Sequence, residues 1–215
     1  MSLQQVFDDL LAAYGSQHWW PGDTPFEVMV GAILTQNTAW GNVEKAIANL
    51  KKNDALSAEM IAGCEHDRLA AWLKPSGYFN IKATRLRNFC RWFLDWGGYE
   101  ALSQRPTDEL RHGLLSVNGV GPETADDMLL YAFERPVFVI DAYTRRLFSR
   151  LGLVDEKLGY EALRAFFEKA LPADVALFNE YHALIVRHAK EACRKRPVCG
   201  PCPLGPVCPV AQSRY

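Results

Sequence analysis

A chain of 215 residues, 49% of them hydrophobic, suits one large domain or two small ones with a shared interface. Its formal net charge of −1 argues against wholesale coating of a polyanion, leaving room only for a local basic patch. No run of about 18 apolar residues occurs, so no membrane span is expected, and the acid-bearing opening MSLQQVFDDLLAAYG does not read as a signal peptide.

In chain order, Leu3, Val6, Phe7, Leu10, Leu11 and Tyr14 keep a helical period and predict an amphipathic first helix. Gly15 to Pro25 is turn-rich and contains Trp19-Trp20-Pro21, which reads either as a plug in a domain seam or as an aromatic wall. Phe26 to Leu34 is almost wholly apolar and reads as a buried helix, running into the polar stretch Thr35-Gln36-Asn37-Thr38-Ala39-Trp40, where Thr35 or Asn37 could cap the helix that follows. Val43, Ala46, Ile47 and Leu50 mark that helix; shorter patches lie around Ala58–Ile61 and Leu69–Leu73. Ile81 to Trp96 is a longer helix stopped by Gly97-Gly98, with Lys82, Arg85, Arg87 and Arg91 expected on a solvated face or a polyanion-facing edge. Thr107-Asp108-Glu109 is expected to cap the next helix.

Two features of Leu114–Arg146 belong together. Val117-Asn118-Gly119-Val120-Gly121-Pro122 is a tight turn between helical patterns, with Gly119 and Gly121 free to take positive φ and Pro122 suited to a first helical position. The N–H groups of such a turn, at a helix N-terminus, can seat one phosphate. Asp141 follows the apolar run Pro136–Ile140 and opens a polar, Arg-bearing helix; it reads as an N-cap or as a presented carboxylate. Two more helices follow, Tyr160–Leu171 and Asp174–Ala192, and Pro136–Ile140 is too short to build a sheet, so the fold class is all-α.

Cys193, Cys199, Cys202 and Cys208 form C-x5-C-x2-C-x5-C within sixteen residues, in a Pro- and Gly-rich tail too poor in apolar residues to bury a core. Without a secretion signal, disulfides are not expected. A metal is the natural staple, with tetrahedral zinc and a [4Fe–4S] cluster as candidates. Cys64 and Cys90 lie in helical patterns and read as buried hydrophobes.

Leu115-Ser116-Val117-Asn118-Gly119-Val120-Gly121-Pro122-Glu123-Thr124-Ala125 resembles the helix-hairpin-helix of the endonuclease III superfamily of DNA base-excision glycosylases, and Val139-Ile140-Asp141 with Arg145 resembles its catalytic aspartate segment. The resemblance spans nearly the whole chain. It implies two helical domains, a six-helix domain over 24–135 carrying the hairpin and a second over 1–23 with 136–215 carrying a four-cysteine [4Fe–4S] loop, with an active-site cleft between them. It makes Asp141 the catalytic residue, Gln36 the polar wedge that fills the gap left by an extruded base, and Trp40 a residue of the base pocket. Asn37, Gly119, Gly121, Thr124 and Arg145, with Arg194, Lys195 and Arg196 from the cysteine loop, complete the DNA-facing set. The relatives carry an iron–sulfur loop at this place but with a first gap of six residues, where this chain has five.

Superfamily members that also cut the strand carry a lysine two residues after the second hairpin glycine, where this chain has Glu123. A carboxylate forms no Schiff base, so a monofunctional enzyme is expected. Trp19-Trp20-Pro21, the Thr35–Trp40 loop and Glu123 together resemble the 3-methyladenine DNA glycosylase III branch, with Trp19, Trp20, Pro21, Trp40 and Glu123 as the base pocket. Indole faces would select a cationic, alkylated purine by cation–π contact. The expected partner is damaged double-stranded DNA, bound by a cytoplasmic monomer that associates with the nucleoid if bacterial. Two alternatives stand beside this reading: an adenine-mismatch or oxidised-pyrimidine glycosylase with lyase activity, and a non-catalytic DNA-binding module.

Overall fold

The computed structural model describes residues 1–19 and 22–213. Among them the α-helices are α1 (Leu3–Tyr14), α2 (Pro25–Leu34), α3 (Trp40–Lys52), α4 (Ala58–Gly63), α5 (His66–Leu73), α6 (Phe79–Asp95), α7 (Gly98–Ser103), α8 (Thr107–Ser116), α9 (Pro122–Tyr131), α10 (Ala142–Arg150), α11 (Tyr160–Ala170), α12 (Val175–Glu191) and α13 (Pro209–Gln212). No strand occurs among the described residues, so the all-α expectation holds. No helix there is long and apolar enough to cross a membrane. The chain divides into two compact units, Trp20–Arg135 and Met1–Trp19 with Pro136–Tyr215.

The Trp20–Arg135 unit is built on α2. Thr24 caps it through Glu27 N, Pro25 sits in its first turn, and Val28, Met29, Val30, Ile33 and Leu34 are buried. A helix this apolar on every side must be surrounded, and α3, α6 and α9 pack on it. On α6, Leu86, Phe89, Cys90 and Phe93 face inward, and burial pushes the Cys90 thiol up. Cys64 differs from expectation: it is the half-buried C-cap of α4.

Lys82 overturns the reading of α6's cations as one solvated face, for it is only 1% exposed. Its Nζ donates to Leu34 O (2.7 Å), Ser76 O (2.7 Å) and Thr38 Oγ1 (2.5 Å). The last turn of a helix leaves carbonyls without intrahelical donors, and a buried ammonium with three N–H groups satisfies one of them at the end of α2 while tying down the next loop. A second difference concerns α8, where Pro106 is the N-cap and Thr107 already helical.

The other unit is organised on α12, which packs against α1 and α10. Ser2 closes a capping box with Gln5 at the start of α1. Tyr181 is fully buried and donates its hydroxyl to Leu3 O at 2.7 Å. Around it Phe138, Phe148, Phe167 and Phe178 form an edge-to-face and stacked cluster. Truncating such a ring to Ala costs roughly 3–5 kcal/mol. Val137, Phe138, Val139 and Ile140 are buried along a segment without regular secondary structure, which delivers Asp141 to the start of α10 from a fixed anchor.

Candidate active site and nucleic-acid interface

Asp141 is the N-cap of α10. Its Oδ1 accepts from Thr144 N (2.7 Å) and Thr144 Oγ1 (2.9 Å), while Oδ2 lies 3.6 Å from His182 Nε2. Burial pushes this carboxyl up, but the His182 imidazole beside Oδ2 and the two bonds from Thr144 outweigh it and hold the group below the usual carboxylate range. Asp141 is therefore both a helix cap and an ionised carboxylate with one oxygen outside the cap. His182, buried on α12, is a neighbour that the sequence reading did not single out as a site residue; the Trp19 ring lies across it at 5.6 Å between centroids. Trp20 and Pro21, expected beside Trp19, lie outside the described residues.

In the other unit, α8 and α9 are clamped across the hairpin by Arg111, whose Nε and Nη2 reach the two oxygens of fully buried Asp126 at 2.7 and 3.2 Å. Gly119 adopts φ +104, and a Cβ there would meet Arg85 Cγ at 2.2 Å, so both conformation and space require glycine. Gly121, by contrast, has an ordinary φ of −94 and caps α9 without a side chain, and Pro122 follows at the first helical position. A Cβ at Gly121 would meet no atom within 4 Å, so the approach to the first turn of α9 is open. Glu123 is exposed in that turn.

Gln36 is tied to the hairpin rather than extended from it. Its Nε2 donates to Gly119 O (2.9 Å) and Thr124 Oγ1 (3.0 Å), and Arg85 Nη1 donates to its Oε1 (2.5 Å). Thr124 is buried, while Asn37 is exposed in a left-handed conformation, φ +53. Trp40, half-buried at the start of α3, donates its Nε1–H to Glu44 Oε1 at 3.0 Å and lines a hollow of about 430 Å³ with Glu27, Glu44 and Lys51. Arg145 Nη1 is spent on Leu158 O and on Glu156 O (3.2 Å).

The four C-terminal cysteines line one small pocket with His188, Leu147 and Leu204. Among the described residues no three His, Cys, Asp or Glu side chains are grouped closely enough to hold a metal ion as they stand. Burial pushes the Cys202 thiol up, a backbone hydrogen bond at Leu204 opposes it, and the neighbouring cysteines add to the rise. Four cysteine sulfurs lining one pocket are the donor chemistry that a soft, thiophilic metal centre takes. Around them, Arg150 Nη1 donates to Cys193 Sγ at 3.3 Å and Arg146 Nε to Cys193 O at 2.9 Å. Arg194, Lys195 and Arg196 are exposed, and Arg150 holds the carbonyls of Arg194 (2.6 Å) and Lys195 (3.0 Å).

The model of the HhH-GPD superfamily base excision DNA repair protein matches residues 30–173. MJ1434 of Methanocaldococcus jannaschii, whose own assignment as a DNA repair glycosylase is provisional, is 48% identical over 209 residues, covering 96% of this chain and 95% of that protein. Endonuclease III of Thermotoga maritima is 30% identical over 192 residues, 88% and 85% of the two chains. The structure of Helicobacter pylori 3-methyladenine DNA glycosylase (MagIII) bound to 1,N6-ethenoadenine superposes with a TM-score of 0.75 at 28% identity, over 89% of this chain and 98% of that one. A non-covalent endonuclease III–DNA complex shares the fold at a TM-score of 0.86 and 21% identity, over 100% and 98%. With the hairpin, the aspartate helix and the cysteine loop all present in one all-α chain, the protein belongs to the HhH-GPD superfamily of base excision DNA repair proteins.

Proposed function

We propose that the protein is a monofunctional DNA glycosylase that hydrolyses the N-glycosidic bond of alkylated purines such as 3-methyladenine in damaged duplex DNA. The observation that carries this is the pairing of an ionised Asp141 with a carboxylate, Glu123, where strand-cutting relatives need an amine. Similarity to the H. pylori 3-methyladenine glycosylase, 28% identical over most of both chains, supports the substrate class.

In the reaction the C1′–N bond breaks and its electron pair leaves with the base. A purine methylated on N3 or N7 is already cationic, so it departs neutral and needs no proton. Positive charge develops on the sugar, and the Asp141 carboxylate stabilises it and orients water through Oδ2, while Oδ1 stays bonded to Thr144. The water oxygen bonds to C1′, its proton passes to Asp141 or to solvent, and an abasic site remains. His182 acts as a positioning residue, keeping Asp141 charged. Trp19, whose ring lies against His182, supplies an indole face for a cationic base. The open first turn of α9, with Gly119 and Gly121, would receive one phosphate. Gln36 could fill the gap in the duplex only by exchanging its three hydrogen bonds for bonds to DNA. Cys193, Cys199, Cys202 and Cys208 would hold a [4Fe–4S] cluster, whose contribution is to fold the tail and present Arg194, Lys195 and Arg196 to phosphates.

The test is base release from duplex DNA treated with a methylating agent, scored before and after alkali. Free methylated purine with strand breaks only after alkali is expected. No release would overturn the substrate class, and breaks without alkali would overturn the monofunctional reading.

A further inference from the structure

Beside the cysteine pocket stands a group that neither the aspartate chemistry nor the hairpin uses. His188, near the end of α12, is fully buried. Its Nδ1 lies 2.9 Å from Tyr14 Oη on α1, and its Nε2 lies 3.8 Å from Cys202 Sγ. The ring thus spans from the C-terminal end of the first helix to one of the four thiols, 14 residues along the chain in one direction and 174 in the other. Tyr14 is itself held: the Arg187 guanidinium sits 4.9 Å over its ring, and Arg187 Nη1 donates to Tyr14 O at 2.9 Å.

We propose that His188 is a positioning residue for the metal centre, donating an Nε2–H hydrogen bond to the Cys202 thiolate in a tautomer fixed by Tyr14. This inference rests on the cysteine loop holding a [4Fe–4S] cluster. A ligating thiolate has no proton and can only accept. The ring nitrogen facing Cys202 must therefore carry the hydrogen, which leaves Nδ1 as an acceptor for the Tyr14 hydroxyl proton. Cys193 Sγ takes its own donor from Arg150, so two of the four sulfurs receive N–H groups from helices outside the loop. Such bonds withdraw charge from sulfur. They favour the more negative, reduced cluster, and they slow ligand loss by fixing the thiolate in place. The bond from α1 has a further consequence. The N-terminal helix becomes part of the support of a centre whose ligands all lie in the last 23 residues.

The experiment compares the full-length wild type with Tyr14→Phe, His188→Leu and His188→Gln. Iron and sulfide content, the reduction potential of the cluster and the rate of loss of its visible absorption under a chelator are measured. Tyr14→Phe removes only a hydroxyl and keeps the ring under Arg187, so it reads the relay without disturbing the fold. Expected are a lower potential and roughly ten- to hundredfold faster cluster loss in His188→Leu. His188→Gln, which keeps an N–H donor, should recover part of both, and Tyr14→Phe should fall between Leu and wild type. Wild-type potential and loss rate in both Tyr14→Phe and His188→Leu would overturn this proposal while leaving the cluster in place. A wild type that contains zinc, or no metal, would overturn the cluster reading first and this proposal with it.

Discussion

His182 Nε2 lies 3.6 Å from Asp141 Oδ2, the carboxylate oxygen that the two Thr144 bonds leave over. One oxygen of this side chain thus belongs to the backbone of α10, and the other to an imidazole presented by α12. The division separates a structural task from a chemical one within a single residue, and each half can be tested alone.

Asp141→Asn keeps an amide oxygen for the cap, and Asn caps helices about as well as Asp. Stability should change by less than about 1 kcal/mol, while base release falls by about a hundredfold or more for want of the charge. DNA binding should be largely retained. Denaturant unfolding and single-turnover release on methylated duplex would check this, and a fully active Asn variant would remove Asp141 from the chemistry.

The pH dependence follows from the direction of the Asp141 shift. Its folded value lies below the usual carboxylate range, the His182 and Thr144 contacts outweighing burial. The stability this lends is fully present above the unfolded value of about 4 and is lost as pH falls through the lower folded one. The acid limb of base release due to Asp141 should lie in that same low window. His182→Phe keeps the burial and removes its main counterweight, so the limb should move to higher pH. A pH–rate profile unchanged by His182→Phe would show that the imidazole has no hold on the carboxylate.

Borohydride treatment of the enzyme with abasic or methylated duplex should trap no covalent adduct, because Glu123 offers no amine. Glu123→Lys should gain trapping, at a cost of a few tenths of a kcal/mol from placing a cation in the first turn of α9. A wild-type adduct on a denaturing gel would mean that another lysine performs the attack.

The hairpin glycines should separate fold from binding. Gly119→Ala forces a methyl into Arg85 at a φ of +104 and should destabilise by about 1–3 kcal/mol. Gly121→Ala meets open space, so its cost is the poorer cap, at most about 1 kcal/mol. Its methyl would nevertheless stand over the first-turn N–H groups and weaken duplex binding by about tenfold. Fluorescence anisotropy at fixed salt, beside thermal melts, distinguishes the two.

Lys82→Met fills the same space without a donor and leaves Leu34 O, Ser76 O and Thr38 Oγ1 without the ammonium. Burial, with the Arg85 charge beside it, lowers this lysine to about 8, a sign that its charge is held at some expense. Removing one side of a satisfied buried network is still the worse outcome, and a loss of about 2–4 kcal/mol in urea unfolding is expected. A neutral result would make Lys82 dispensable to the Gln36 loop.

Periodicity and punctuation were enough for the helices. Phe26–Leu34 had to be buried because it has no polar side, and the Gly-Val-Gly-Pro turn and the Asp141 cap are local events whose residue types dictate their geometry. The cysteine spacing likewise marks a tail too poor in apolar residues to fold on its own core. What the sequence could not assign were partners distant along the chain. Lys82 looked like one cation among four on α6, and only packing put its ammonium against the end of α2. Gln36 and Arg145 looked available to DNA, yet folding engages Gln36 with Gly119, Thr124 and Arg85, and Arg145 with the carbonyls near residue 158. His182 and His188 lie on one helix, six residues apart. Nothing in their spacing says that one faces Asp141 and the other Cys202. Local chemistry is written in neighbouring residues, whereas hydrogen bonds spanning 11 to 174 positions exist only after the core has fixed which helix faces meet.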